Sequence, residues 1–227
     1  GVNVMIMFGQ RFRTVNREAH RLIQEGAIGR VTAVHCYSLN PGGLASLPAW
    51  QSQPGNLGTL FGHGVHNIDM VRWLTGAEGS TVAAHSQEEK PGHETSTMAV
   101  LGMSSDVLAS VWVSWAIPAP GFPASGFSCK VVGEKGMLEM DAYAALRLGR
   151  DGAWTTVAEQ APIDWKGKGM LDPARLEAYQ RQGNEFLNSI REKRRPSVTG
   201  EDGRAAVAVA LAAYESSKTK QTVRLGD

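Results

Sequence analysis

Two histidines and an aspartate stand at even spacing in the segment GTLFGHGVHNIDMVRWLTG, residues 58–76. His63, His66 and Asp69 are each three positions apart, so on a helix they would lie roughly along one side. Histidine is the side chain whose charge changes near neutral pH, and a carboxylate one turn away can hold its ring in place. The spacing therefore makes His66, with Asp69 behind it, a candidate acid/base for a substrate hydroxyl.

The same segment is open to three other interpretations. The hexapeptide GHGVHN approaches a dinucleotide-binding glycine loop, but Asn67 stands at the third glycine and a loop, not a strand, precedes it. A metal-dependent hydrolase could use His63, His66 and Asp69 as ligands, although the glutamate that zinc hydrolases place between their paired histidines is absent. A histidine on a helix can also be an ordinary core or cap residue.

Composition restricts the classes of protein that fit. The 227 residues are 42% hydrophobic and 20% charged with a formal net charge of +1, which is typical of a globular protein and gives no reason to expect nucleic acid or an anionic membrane as partner. No apolar run reaches the roughly 18 residues of a membrane span, and a cytoplasmic protein is expected. Cys36 and Cys129 lie in strand-like apolar runs, which predicts two buried thiols and no disulfide framework.

The apolar pattern predicts an α+β fold. The run VNVMIMF, Val2–Phe8, is typical of a strand buried on both faces, and a β-branched strand-like run covers residues 30–39. After Gly76 the period changes to two and indicates six strands joined by turns, in an antiparallel meander. We therefore expect an open, mostly antiparallel sheet with helices packed on one face. Helices are predicted over Thr14–Gly26, Thr59–Leu74, Pro173–Lys193 and Glu201–Thr219.

One of these strands, VLASVWVSWAI, is apolar on both faces, so the sheet face away from the helices must also be covered. This predicts a subunit interface, in a homodimer or tetramer. One face would carry Val111, Val113 and Trp115, and the other Leu108, Trp112 and Ala116.

Five segments, in the same order, resemble the C-terminal half of the glucose-fructose oxidoreductase / inositol dehydrogenase / MocA (Gfo/Idh/MocA) family of NAD(P)-dependent oxidoreductases. They cover essentially the whole chain and are specific as a set. The segments are VNVMIMFGQRF, AHRLIQEGAIGRVTAV, GTLFGHGVHNIDMVRWLTG, VVGEKGMLEM and RRPSVTGEDGRAAVAVALAAYESSKTKQTVRL.

The resemblance implies a dihydrodipicolinate-reductase-like C-terminal domain. Residues 1–10 would be the last strand of an N-terminal Rossmann domain, and residues 11–227 the substrate-binding and oligomerisation domain. The Rossmann domain would bind NAD or NADP, so no cofactor is expected on this chain alone. Glu89-Lys90-Pro91 matches a family tripeptide that belongs in the Rossmann domain, and we interpret it here as a coincidence within the sheet.

The resemblance also implies roles for individual residues. His66 matches the family's acid/base histidine, and Asp69 matches the acidic residue one turn later, which the resemblance implies to be structural. Arg11 matches the arginine after the Rossmann strand and Trp50 a tryptophan before the glycine-rich loop; together with His63 and Asp69 they are the candidate substrate-binding residues. Gly62 departs from the family, because many members place an aspartate four residues before the histidine, and His63 cannot occupy the same place on a helix.

Three functions follow from the sequence. The first is the substrate-binding and oligomerisation part of an oxidoreductase that acts on a sugar or polyol hydroxyl and is inactive alone. The second is a non-catalytic carbohydrate-binding or scaffold protein of the same fold, which Gly62 favours. The third is the metal-dependent hydrolase.

Overall fold

A computed structural model describes residues 2–46, 49–50, 53, 58–123 and 126–226. The described part contains four α-helices and a single nine-stranded sheet. The helices are α1 (Thr14–Gln24), α2 (Val65–Thr75), α3 (Pro173–Arg191) and α4 (Gly200–Thr219). The strands are β1 (Val31–Pro41), β2 (Gly79–Lys90), β3 (His93–Met103), β4 (Leu108–Ile117), β5 (Ser128–Gly133), β6 (Met137–Asp141), β7 (Ala145–Arg150), β8 (Ala153–Glu159) and β9 (Val223–Arg224).

The sheet is open and runs in the order β8-β7-β6-β5-β1-β4-β3-β2-β9. Every neighbouring pair is antiparallel except β1 and β4, which are parallel. The α+β prediction is confirmed, but the meander is interrupted, because β1 lies between β4 and β5. Parallel neighbours need a long crossover connection. The chain between β1 and β4, which includes α2 and the β2–β3 hairpin, provides it.

The helices cover one face of the sheet and form the core with it. Helix α1 packs on β6, β7 and β8, α2 on β1 and β4, and α4 on β2. Val111 and Val113 of β4 point to this side and are fully buried, and Val34 of β1 is only 2% exposed. Alternate residues of a strand point to opposite faces, so the burial of one set leaves the other set on the far side of the sheet.

That far side is apolar and exposed. Leu108 of β4 is 75% exposed, and Val100 and Met98 of β3 are 61% and 51% exposed. Trp112 is only partly buried, although it lies in the centre of the sheet. The two-sided apolar character predicted for β4 is confirmed, while the subunit interface stays a prediction.

The two ends of the predicted strand list differ from the structure. Residues 2–8 form no strand within the described chain; Ile6 donates its backbone N–H to Val198 O at 3.1 Å. The assignment of residues 1–10 to a preceding domain stays a prediction. Strand β8 was not predicted, because it is an edge strand whose residues are mostly exposed and it lacks a clear apolar alternation.

The two cysteines are buried and free, as predicted. They lie opposite each other, with Cys36 of β1 paired in register with Cys129 of β5. Within the described residues, no helix has both the length and the apolar character needed to cross a membrane.

Candidate active site

The histidine segment folds as one π-helical turn, Leu60–Gly64, that continues into α2. A Cβ on Gly64 would lie 2.6 Å from Leu60 Cδ1 and 3.1 Å from Val113 Cγ2, so the glycine allows the turn to pack tightly against β4. Gly76 ends the helix with a left-handed φ of 63°. The predicted helix is confirmed, except that its first turn is π-helical, a geometry that is frequent at functional sites.

His63 and His66 line the same cavity, which has a volume of about 960 Å³. The cavity lies between the π turn, the end of β1, the loop before β5, the end of β6 and the loop after β8. Its lining combines the two histidines with other polar side chains and with several aromatic side chains. The residues that share it with the histidines are Gln10, Ser38, Leu39, Asn40, Pro41, Trp115, Pro120, Gly121, Phe122, Gly126, Phe127, Asp141, Tyr143, Trp165 and Lys166.

Both histidine rings pack against aromatic side chains and have an unused nitrogen. The His63 ring lies 4.0 Å from the Trp115 ring, and the His66 ring meets Phe8 edge-on at 5.5 Å between centroids. Nδ1 of His63 and Nδ1 of His66 are buried and have no hydrogen-bond partner among the described residues. Burial, with a contribution from the neighbouring His63, lowers the pKa of His66 to about 4, and burial also lowers the pKa of His63. Both rings are therefore neutral at pH 7.

Asp69 does not orient His66, so that part of the acid/base prediction is wrong. Its two carboxylate oxygens accept from Arg11 instead, Oδ2 from Nε at 2.8 Å and Oδ1 from Nη2 at 2.6 Å. Asp69 is completely buried. Burial raises the pKa of Asp69 and the guanidinium of Arg11 opposes this rise. The bidentate geometry is that of an ionised pair.

Arg11 joins three elements into one buried ionic cluster. Besides Asp69 of α2 it contacts Asp202 of α4 at 3.0 Å, and Arg72 approaches the same Asp202 oxygen at 3.4 Å. Asp202 also completes the capping box of α4 with Thr199. Neither Arg11 nor Asp69 is among the residues that line the histidine cavity. Their contacts hold the chain before α1 against α2 and α4.

Comparison with known proteins decides the family. The family model described as the oxidoreductase family, C-terminal alpha/beta domain, the Gfo/Idh/MocA C-terminal domain, matches residues 20–225. The chain belongs to this family.

Individual relatives agree with this assignment. Inositol 2-dehydrogenase 2 of Saccharopolyspora erythraea is 27% identical over 225 residues, which make up 96% of this chain and 60% of that protein. An oxidoreductase from Agrobacterium radiobacter, solved in complex with NAD+, L-tartaric acid and magnesium, shares the fold with a TM-score of 0.81 at 19% identity, over 99% of this chain and 66% of that one. Scyllo-inositol dehydrogenase from Lactobacillus casei, solved with NAD(H) and scyllo-inositol, has a TM-score of 0.75 at 22% identity, over 100% and 66%. The chain thus spans about 60% of the length of the first of these relatives.

Of the remaining residues that the Gfo/Idh/MocA resemblance singled out, Gly62 lies beside His63 and the others do not line the histidine cavity. Trp50 is in a turn, 59% exposed, and is not among the cavity residues. Glu89-Lys90-Pro91 lies at the exposed β2–β3 hairpin, within the sheet as expected. Gly62 lies within the π turn and donates its backbone N–H to Gly58 O at 3.0 Å. Its position provides no carboxylate beside His66.

The sequence also left open a metal site and a dinucleotide-binding loop around the two histidines. Among the described residues, no three His, Cys, Asp or Glu side chains come together as metal ligands, and Asp69 is held by Arg11. The described residues therefore do not supply the convergent ligand set that a metal-dependent hydrolase requires. The NAD(P) of Gfo/Idh/MocA oxidoreductases needs a glycine loop between a strand and a helix, and the sequence contains none.

Several cavity residues were not predicted from the sequence. The Tyr143 hydroxyl oxygen accepts a hydrogen bond from Gln10 Nε2 at 3.1 Å. The Arg13 guanidinium carbon lies over the Tyr143 ring, 4.3 Å from its centroid, and the Tyr143 and Trp165 rings meet edge to face with centroids 5.5 Å apart. Gln10 is far from Tyr143 in the chain, and only the tertiary fold brings them together. Among the cavity residues that were not predicted, the sequence offered a signal only for Trp165, a tryptophan within a Gly- and Lys-containing segment that is otherwise typical of a loop.

Proposed function

We propose that this chain is the substrate-binding part of an NAD(P)-dependent oxidoreductase that acts on a hydroxyl of a sugar or polyol. The observation that carries the proposal is that His63 and His66 both line a cavity of about 960 Å³ in a chain of the Gfo/Idh/MocA family, and that neither Nδ1 atom has a partner among the described residues. The names of two relatives support the substrate class: the inositol 2-dehydrogenase of Saccharopolyspora erythraea and a 1,5-anhydro-D-fructose reductase of Ensifer adhaerens, which is 25% identical over 97% of this chain and 65% of that protein.

His66 is the proposed acid/base. Oxidation of an alcohol releases the hydroxyl proton, and a neutral imidazole can accept it. The low pKa of His66, about 4, keeps the ring neutral at physiological pH, which is the form that accepts a proton. The NAD(P), when bound, would accept the hydride. His63, packed on Trp115, lies in the same wall and is proposed to bind a neighbouring hydroxyl.

The aromatic side chains that line the cavity are proposed to bind the ring of the substrate. Trp115, Tyr143 and Trp165 offer flat apolar surfaces for the C–H face of a sugar or cyclitol, while the amides of Gln10 and Asn40 offer hydrogen bonds to hydroxyls. A mixed wall of this kind distinguishes a polyhydroxylated ring from an aliphatic alcohol.

Ligand binding by this chain tests the proposal directly. We expect calorimetry across a panel of inositols and sugars to detect binding that His66→Gln and Trp115→Leu weaken, whereas His85→Gln, at an exposed position on the far sheet face, leaves it unchanged. If no member of the panel binds, or if all three variants bind alike, the cavity is not the substrate site.

Catalysis is proposed to require the part of the protein that holds NAD(P). We expect the 227-residue chain alone not to reduce NAD(P) with any polyol, and a longer protein with a glycine loop upstream of Gly1 to do so. Turnover by the short chain would contradict this. Gly62 favours the second candidate, a carbohydrate-binding or scaffold protein, and binding without turnover in the longer protein would support it.

The exposed sheet face is proposed to pair with the same face of a second copy. Its apolar residues Leu108, Val100 and Met98 lie on adjacent strands and present a continuous surface. Leu108→Asp should reduce the sedimentation coefficient to that of a monomer, and Leu211→Asp, at a 47% exposed leucine of α4, should not. A parent chain that is monomeric at high concentration would refute the interface.

A further inference from the structure

The π turn that carries His63 has no cap of its own. The first backbone N–H groups of a helix have no partner within the helix and need acceptors from elsewhere. Thr59 precedes the turn, and its side chain makes no capping hydrogen bond to it. The acceptors come instead from two distant side chains: Leu60 N donates to Glu94 Oε2 at 2.9 Å, and Phe61 N donates to the Tyr214 hydroxyl at 3.2 Å.

Glu94 and Tyr214 are themselves joined, so the two acceptors form one unit. The Tyr214 hydroxyl donates to Glu94 Oε2 at 3.2 Å, and Thr97 Oγ1 donates to Glu94 Oε1 at 2.9 Å. Glu94 belongs to β3 and Tyr214 to α4, so the unit fastens the turn to the sheet on one side and to the last helix on the other. Glu94 is only 7% exposed.

The backbone beside the turn is shaped to admit this carboxylate. A Cβ on Gly58 would lie 2.4 Å from Glu94 O and 2.6 Å from Glu94 Oε2, distances that no real side chain tolerates. Thr59 Oγ1 donates to Glu94 O at 3.2 Å. Gly58 and Thr59 thus bring the chain against Glu94 just before the histidines begin.

We propose that Glu94, acting with Tyr214, is the positioning residue that sets the orientation of His63 and His66 in the cavity. It touches neither ring and acts through the backbone of the turn. The assignment rests on the proposed function, since it gives Glu94 a role in a reaction in which His66 is the acid/base.

A purely stabilising role fits the geometry less well. Burying a carboxylate is costly, and well-packed apolar residues of similar volume often stabilise a protein more. The Glu94 carboxylate has no cationic partner among the described residues; its acceptor capacity goes to Leu60 N, Thr97 and Tyr214. What it provides is a directional hydrogen bond to the backbone of the turn that carries His63.

The test uses the 227-residue chain and the NMR signals of the histidine rings. Tyr214→Phe removes the acceptor of Phe61 N, and Glu94→Gln removes the charge and one of the two acceptor oxygens. Ser216→Ala is the matched control, because it removes a buried hydrogen bond from the same helix, Ala84 N to Ser216 Oγ at 3.0 Å, which leads to β2 and not to the turn.

We expect Tyr214→Phe and Glu94→Gln to displace the Cε1–Hε1 signals of His63 and His66 and the indole signal of Trp115, and Ser216→Ala to leave all three in place. The proposal is overturned if the histidine signals stay in place in Tyr214→Phe, or if Ser216→Ala displaces them equally. Tyr214→Phe decides the outcome alone if Glu94→Gln does not fold.

In a longer protein that turns over, the same variants should lower kcat by up to about 100-fold with little change in KM, since misplacement of a catalytic group by about 1 Å has an effect of this order. A shift of the ring signals without any turnover in the parent protein would leave Glu94 as the positioning residue and refute only the proposed function. An unchanged kcat in Tyr214→Phe, with an active parent, would refute the positioning role.

Discussion

Replacing His66 with glutamine should make the chain less sensitive to mild acid. The native pKa of His66 is about 4, against an ordinary value of 6.5, and the first cause is burial. Between these two pH values the unfolded chain binds a proton at this position and the native chain does not. The free energy of unfolding therefore falls as the pH is lowered through this window, and it rises again towards neutral pH.

The size of the effect follows from the shift. One pKa unit corresponds to about 1.4 kcal/mol, so the full difference between the protonation states is about 3 kcal/mol. Between pH 7.5 and pH 5 the His66 contribution to the free energy of unfolding should fall by about 2 kcal/mol. His63 adds a loss of the same sign, because burial lowers its pKa as well.

Urea unfolding between pH 5 and 8, followed by tryptophan fluorescence, measures this loss. The parent should lose about 2 kcal/mol more than His66→Gln on going from pH 7.5 to pH 5. His85→Gln, at an exposed histidine, should follow the parent curve. Parallel curves for the parent and His66→Gln would show that the ring is not buried in its neutral form, and would refute the proposal that neutral His66 accepts the substrate proton.

Four further substitutions test a buried ion pair, a helix cap and the space beside two glycines. Asp69→Asn should lower the free energy of unfolding by about 3 kcal/mol or more, because it leaves Arg11 buried without its main partner; a loss below about 1 kcal/mol in urea unfolding would contradict the buried pair. Thr199→Ala should cost about 1 kcal/mol through the lost α4 capping box, and an unchanged melting temperature would argue against the cap. Gly133→Ala should lower the free energy of unfolding by about 1–3 kcal/mol, because the added Cβ would lie 2.3 Å from the backbone oxygen of Ile28. Gly183→Ala in α3, whose added Cβ would meet no atom within 4 Å, should instead raise it by roughly 0.5–1 kcal/mol. Equal effects of the two substitutions in calorimetric unfolding would refute this steric explanation.

The helices were predictable because each has a local signal. α1 ends at Gln24, two residues before the glycine expected to stop it, and α3 and α4 begin and end within two residues of the predicted bounds. The position of β1 was not predictable from local pattern. Its apolar residues fit any central strand, and the parallel pairing with β4, from Ala33 opposite Leu108 onwards, is decided by the crossover and by long-range packing.

The site was predictable only in part for a similar reason. His63 and His66 share a cavity as their spacing on one helix suggested, because neighbours within a helix are fixed by its own geometry. The partner of Asp69 lies 58 positions away in the chain, and Tyr143 meets Gln10 across 133 positions. Spacing within a helix does not encode contacts of that range, so Asp69 was placed behind His66 when it in fact belongs to Arg11.

Because Asp69 is bound to Arg11, other contacts must fix the orientation of the His66 ring. A histidine ring is commonly fixed by a hydrogen bond to one of its nitrogens, and Nδ1 of His66 has none within the described residues. The position of Gly62 has no side chain that could supply it. What remains is edge-on packing against Phe8 and the backbone of the π turn, which Glu94 and Tyr214 hold from outside. The orientation of His66 therefore depends on the start of its helix rather than on a residue one turn later, and substitutions at Glu94 should disturb its ring more than substitutions of Asp69 that preserve the fold.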